Sequence, residues 1–160
     1  MLLLGPLYHL TAREARLQAL GEALRVLRPG GIVAAAAISR FASTFDGIAH
    51  AFLVDPRFEA VVDRDLRNGQ HRNPDLEGRP EWFTTAYSHH PDELRHELEA
   101  AGFVVDAVLA VEGPGSFRPE LDGWLDDTER RDVLLRAIRR VETEPTVLGA
   151  SAHLLAFARA

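Results

Sequence analysis

Cysteine and lysine are both absent from this 160-residue chain. Without cysteine there is no disulfide, no thiolate metal site and no cysteine nucleophile. Without lysine, all 18 basic positions are arginine. Together with abundant alanine, that pattern reads as the codon bias of a GC-rich genome rather than a functional signal. Clustered basic charge is missing too. The net charge is −6 and the pI is near 5.6, so no nucleic-acid partner is expected. The opening apolar run is too short to span a bilayer and has neither the basic leader nor the cleavage site of a signal peptide. A cytoplasmic protein with no membrane partner is therefore expected. No internal repeat or low-complexity tract is found.

What is present fits one soluble domain with a modest core: 46% hydrophobic and 26% charged residues over 160 positions. Residues 2–4 read as the end of a buried strand, stopped by Gly5-Pro6 because proline cannot donate to a ladder. Thr11 and Glu14 have capping-box spacing. Leu17, Leu20, Leu24 and Leu27 mark one face of the helix that follows, and Pro29-Gly30-Gly31 ends it. Ile32–Ile38 is apolar without alternation, the habit of a parallel strand covered on both faces. Strand, helix and strand make a βαβ unit. Residues 39–87 read as a lid insertion, with two short helices and a polar stretch rich in turn formers. The segment HPDELRHELEAAG then predicts a helix with Pro91 in its first turn and Gly102 closing it. FVVDAVLAVEG predicts a strand, DTERRDVLLRAIRRVE a helix, and TVLGASAHLLAFARA a last strand with a bulge at Gly149.

Taken in order, LLLGPLYHL, VLRPGGIV, ISRFAS, AYSHHPDELRHELEAAGF, VLAVEGPGSF and VLGASAHLLAFAR resemble the C-terminal part of a class I S-adenosylmethionine-dependent methyltransferase of the small-molecule type. The resemblance covers essentially the whole chain and implies an α/β fold, a partial Rossmann-like sheet made of that family's last four strands. Residues 2–4 match the fourth strand and Ile32–Ile38 the fifth. Phe103–Glu112 matches the sixth. Val147–Ala158 matches the seventh, which runs antiparallel between two others. The family's Gly-rich cofactor loop and acidic strand end have no counterpart here. The chain is therefore expected to begin in mid-domain, from a start codon assigned too late, as a genuine remnant, or by deliberate cutting. Leu2, Leu3 and Leu4 would then form an exposed strand edge prone to self-association.

The resemblance further implies S-adenosyl-L-methionine as cofactor, with Leu4, Gly5 and Pro6 lining its methionine end, and a small molecule as substrate. His9 is the candidate general base, since histidine titrates near neutrality; its other reading is a residue that only packs. Tyr8, Ser39, Arg40, Tyr87 and His89 are candidate substrate contacts. The pair His89-His90 invites a metal reading, but adjacent histidines seldom converge on one ion, so no metal is expected and His90 reads as a helix cap. Trp82 and Phe83 either wall the substrate or anchor the lid. Trp124 reads as helix packing. His50, His71, His96 and His153 have no evident partners. Two further readings stand beside the enzyme: a catalytically inactive remnant or interaction domain, and a nicotinamide-dependent reductase. The latter is disfavoured because a Tyr-x-x-x-Lys pair is impossible here.

Overall fold

The computed structural model describes all of residues 1–160. It opens with β1 (Leu2–Leu3), α1 (Pro6–His9), α2 (Arg13–Val26) and β2 (Ile32–Ser39). The capping box expected at Thr11 does not form. The N-cap is Ala12 and no side chain caps the helix. Thr11 is used through its carbonyl instead, which accepts from Arg16 Nη1 and Gln70 Nε2, each at 3.0 Å. The buried stripe of α2 runs Arg16, Leu20 and Ala23, with Leu24 and Leu27 packed beside it. An arginine thus takes the first core position.

Next come α3 (Ala42–Ala49), a 3₁₀ turn at Phe52–Val54, α4 (Pro56–Asn68), β3 (Gln70–His71), a 3₁₀ turn at Pro80–Trp82 and β4 (Ala86–His89). The sheet has six strands rather than four; β3 comes from the stretch 39–87 read as a lid, and β4 begins at its end and runs past it to His89. β4 pairs in parallel with β2 at Ile38 and Ser39, on the edge that β1 occupies at Ala34 and Ala35. Strand β1 stops at Gly5-Pro6, and β4 continues its place along β2. Tyr87 and His89, expected in a loop before a helix, therefore stand on a buried strand. The helix after them, α5 (Pro91–Ala100), starts as its sequence predicts. His90 caps it, Glu93 reaches back to the His90 backbone, and Gly102 follows its end at φ +100°.

The remaining elements are β5 (Val104–Ala110), a 3₁₀ turn at Gly113–Phe117, α6 (Leu121–Asp126), α7 (Thr128–Arg139), α8 (Pro145–Leu148) and β6 (His153–Arg159). The last strand runs antiparallel to both of its neighbours, β2 and β5. It is shorter than expected, because Pro145–Leu148 closes a helical turn with Gly149 as its C-cap. The irregularity expected at Gly149 lies on β5 instead, between Val105 and Ala107. The skipped residue, Asp106, takes a two-pronged ion pair from Arg159 at 2.7–3.0 Å. Trp124 lies on α6, none of whose residues is buried, with the Arg118 guanidinium 3.8 Å over its ring.

One face of the sheet is fully covered. Val33, Ala35, Ala37, Leu154, Ala156 and Ala158 pack there against Leu20, Ala23, Leu94 and Leu98 of α2 and α5. The other face is covered only in part, against the reading of β2 as buried on both sides. Ala34 is buried, but Ile32 is 54% exposed. β1 has no strand on its outer side; Leu2 is 73% exposed, while Leu3 packs against the core. No helix is long and apolar enough to cross a membrane.

Candidate functional site

Alternation along β2 and β4 separates two environments. Ala36, Ile38, Ala86 and Ser88 face a cavity of about 360 Å³ on the partly covered side of the sheet. Ala37, Ser39, Tyr87 and His89 stand on the alternate positions. The cavity lies where β1 and β2 end, the side on which open α/β sheets bind ligands. Leu4 and Tyr8 form one wall, α3 contributes Ser43 and Asp46, and β6 contributes His153. Apart from Tyr8, its aromatic rings come from the lid stretch. Phe52, Phe58 and Trp82 make a chain of rings with centroids 5.3 Å apart, and Phe83 adds a fourth. Trp82, 2% exposed, both anchors the lid and lines the cavity.

A serine, a histidine and an aspartate meet at one side. His71 Nδ1 lies 2.8 Å from Asp65 Oδ2, and Ser43 Oγ donates to the same oxygen at 2.5 Å. His71 Nε2 lies 2.8 Å from the Trp82 carbonyl. Both ring nitrogens therefore face acceptors, which calls for an imidazolium. Burial works against that charge, but the hydrogen bond and charge of Asp65 and the Trp82 carbonyl override it and raise the pKa. This is not the arrangement of a serine nucleophile. Serine and aspartate share one imidazole nitrogen, and the other is occupied, so Ser43 has no free base to take its proton. The cluster ties α3, α4, β3 and the Trp82 turn together.

A second histidine is differently placed. His153 Nδ1 is 2.5 Å from Glu112 Oε1, and Glu112 Oε2 accepts from Ser151 Oγ at 2.6 Å and from the His153 backbone at 3.0 Å. The hydrogen bond that His153 donates to Glu112 is the leading reason the imidazole pKa is raised. Burial alone would raise the pKa of Glu112, yet its bonds to His153 and Ser151 hold it at about 2. With Nδ1 fixed on a carboxylate, Nε2 of a cavity-lining imidazole is left as the proton acceptor.

The expected site residues divide between these environments. Leu4 and Tyr8 line the cavity, and the Tyr8 hydroxyl donates to the Leu4 carbonyl at 3.1 Å. Gly5, Pro6 and His9 border that wall without lining it, and His9 is exposed. Ser39, Arg40, Tyr87 and His89 are engaged elsewhere. The Ser39 hydroxyl accepts from the Phe41 backbone at 3.3 Å. Arg40 donates to Glu93 at 2.5 Å and to the Tyr87 hydroxyl at 3.2 Å. His89, fully buried, meets Glu97 at 3.2 Å, and Glu97 holds Arg16, whose guanidinium stacks 3.5 Å over the Tyr87 ring. Burial is the main cause that lowers the His89 pKa. Arg40, Tyr87 and His89 thus tie the ends of β2 and β4 to α5 and, through Arg16, to α2. The two histidines that do line the cavity, His71 and His153, had no partners visible in the sequence.

No protein-family model matches the chain, and no curated protein matches it in sequence. Among solved structures it is similar to a SAM-dependent methyltransferase from Methanosarcina mazei, at 15% identity and a TM-score of 0.49. The match takes in 99% of this chain and 57% of that one, so the chain spans little more than half that structure's length. A likeness at that level decides neither fold nor function.

Proposed function

We propose that this chain carries the acceptor side of an S-adenosylmethionine-dependent methyl transfer to a small molecule. One observation carries the reading: the last strand lies antiparallel between β2 and β5, and the cavity lies at the carboxyl ends of β1 and β2. That is where the LLLGPLYHL resemblance puts the cofactor's methionine end. When bound, the cofactor supplies a methyl group carried on a positively charged sulfur. The strand end fits that part of the group. Leu4 and Tyr8 face the cavity, and a Cβ on Gly5 would meet nothing nearer than the Tyr8 hydroxyl at 3.7 Å. No Gly-rich turn or acidic strand end beside β1 offers a hold for the nucleoside, so affinity from this chain alone is expected to be weak.

The chain's own residues have three tasks. The aromatic roof excludes water. The walls hold the acceptor near the end of β1, since transfer to an oriented nucleophile depends mainly on position. His153 takes a proton at Nε2 from an acceptor that arrives protonated, and Glu112 stabilises the resulting imidazolium. His153 thus stands in the role first assigned to His9. The test is mass-spectrometric detection of methylated product from millimolar S-adenosylmethionine and a mixture of small amines and phenols. Product is expected, falling by about a hundredfold in His153→Phe. No product above a protein-free control refutes the reading.

A second reading has its own observation. The outer edge of β1 is unpaired and Leu2 and Leu4 are 73% and 51% exposed, a template for another chain. The chain would then act as an interaction domain that cannot bind cofactor alone. Concentration-dependent dimers in sedimentation without methyl transfer would favour that reading; a monomer at all concentrations would end it.

A further inference from the structure

The cavity's lining is aromatic and acidic and contains no arginine. Five of its residues carry rings of the kind that attract a cation to their faces: Tyr8, Phe52, Phe58, Trp82 and Phe83. Two carboxylates, Asp46 of α3 and Glu81 beside Trp82, complete the lining, and both residues are exposed at its margin. Other charges nearby leave this balance acidic. His71 and His153 are each matched by a carboxylate, Asp65 and Glu112. Arg57 and Arg79 lie 5.2 and 5.0 Å from the Trp82 ring centroid. Asp55 and Asp75 answer them, two carboxylates against two guanidinium groups, and Arg79 also reaches Glu81 of the lining at 3.1 Å, so the net excess of negative charge is that of Asp46 and Glu81.

We propose that the cavity takes a small organic cation, an amine whose ammonium head lies among the aromatic rings and whose charge is met by Asp46 and Glu81. The inference rests on the methyl-transfer reading only in making that amine the acceptor; the binding preference stands by itself. The proton balance is simple. An ammonium N–H bond breaks, its proton passes to Nε2 of His153, and the nitrogen keeps the electron pair it needs as a nucleophile. The imidazolium formed is held by Glu112. An anionic acceptor would meet two carboxylates in the lining and only histidines already bound to carboxylates.

Calorimetry without cofactor tests this with three probes that share a benzyl group: benzyltrimethylammonium, its uncharged near-isostere 2-methyl-1-phenylpropan-2-ol, and phenylacetate. The cation is expected to bind about tenfold more tightly than the alcohol, with phenylacetate weakest. The double variant Asp46→Asn/Glu81→Gln, at exposed positions, should lose most of that preference. Phe83→Leu, which keeps an apolar side chain but removes a ring, should lose part of it. Equal or tighter binding of the alcohol or the anion, no binding by any probe, or an unchanged preference in the double variant would each overturn the proposal. Displacement of the bound ammonium probe by S-adenosylmethionine would assign the cation site to the methyl donor and overturn the acceptor. Cation preference without methylated product would refute the proposed function and leave this inference standing. Methyl transfer to phenols without cation preference would do the reverse.

Discussion

Arg16 is the most demanding residue in the core, and its removal gives the sharpest test of how the fold is held. It is 1% exposed and makes five hydrogen bonds. Nε donates to both oxygens of Glu97 at 3.2 and 2.9 Å, and Nη2 donates to Oε1 at 2.7 Å. Nη1 donates to the carbonyls of Leu10 and Thr11, each at 3.0 Å. Arg16→Ala leaves a buried carboxylate with His89 as its one close donor, the Leu10 carbonyl without a side-chain donor, the Thr11 carbonyl with Gln70 alone, and a gap against the Tyr87 ring. Breaking a buried pair on one side costs about 3–5 kcal/mol. Measured against a total stability of roughly 5–15 kcal/mol, that is a large fraction. Urea unfolding followed by circular dichroism reads it as a lower midpoint with an unchanged slope. Arg16→Lys keeps the charge but not the fork and should fall between wild type and alanine. Replacing both partners, Arg16→Leu with Glu97→Leu, should recover much of the loss, because no charge is then stranded. A loss below about 1 kcal/mol for Arg16→Ala would refute the claim that this pair organises α2, α5 and β4.

Other outcomes follow from the same geometry. Gly69→Ala should destabilise the fold by about 2 kcal/mol or more, read in the same unfolding assay. Gly69 sits at φ +71°, and an added Cβ would fall 2.3 Å from the Ser88 carbonyl oxygen. The pKa of Glu97 is also held at about 2, because its bonds from His89 and Arg16 outweigh the effect of burial. Folded pKa values below the ordinary 4.5 make Glu97 and Glu112 stabilising above about pH 4.5, and that contribution disappears as pH falls towards 2. An acid titration of the unfolding midpoint should show this loss, and Glu112→Gln should make it shallower. The His153 imidazole should titrate by NMR above the ordinary 6.5, so its contribution is complete below that pH and is lost as pH rises through the folded value. In Glu112→Gln the titration should move back down; an unchanged midpoint would show that the dyad does not exist in solution.

Much of the frame was legible because its signals are local. The leucines of α2 recur at helical spacing, and HPDE announces the start of α5 with a cap, a proline and two acids. The order of long strands followed from apolar runs separated by helices. β4 was not legible. AYSH is four residues long, half polar, and stable only because β2 offers a free edge where β1 stops. Missing it put Tyr87 and His89 in a loop over the substrate, although they belong to the network around Arg16 and Glu97. The cavity's histidines were hidden for a related reason. His71 finds Asp65 across a turn, and His153 finds Glu112 41 positions away, pairings that only the sheet creates. Leu4 and Tyr8 were legible from the LLLGPLYHL resemblance, and the structure has both lining the cavity.

The central claim is that the end of β1 and the cavity beside it form one ligand site. A titration of the ¹⁵N-labelled chain with S-adenosylmethionine, followed by amide NMR, tests it most directly. The account predicts weak, saturable binding on the order of millimolar, with shifts concentrated at Leu4, Gly5, Tyr8 and Ile38. Unmoved resonances at several times that concentration, or shifts confined to Tyr87, His89 and Glu97 on the opposite side of the sheet, would contradict it.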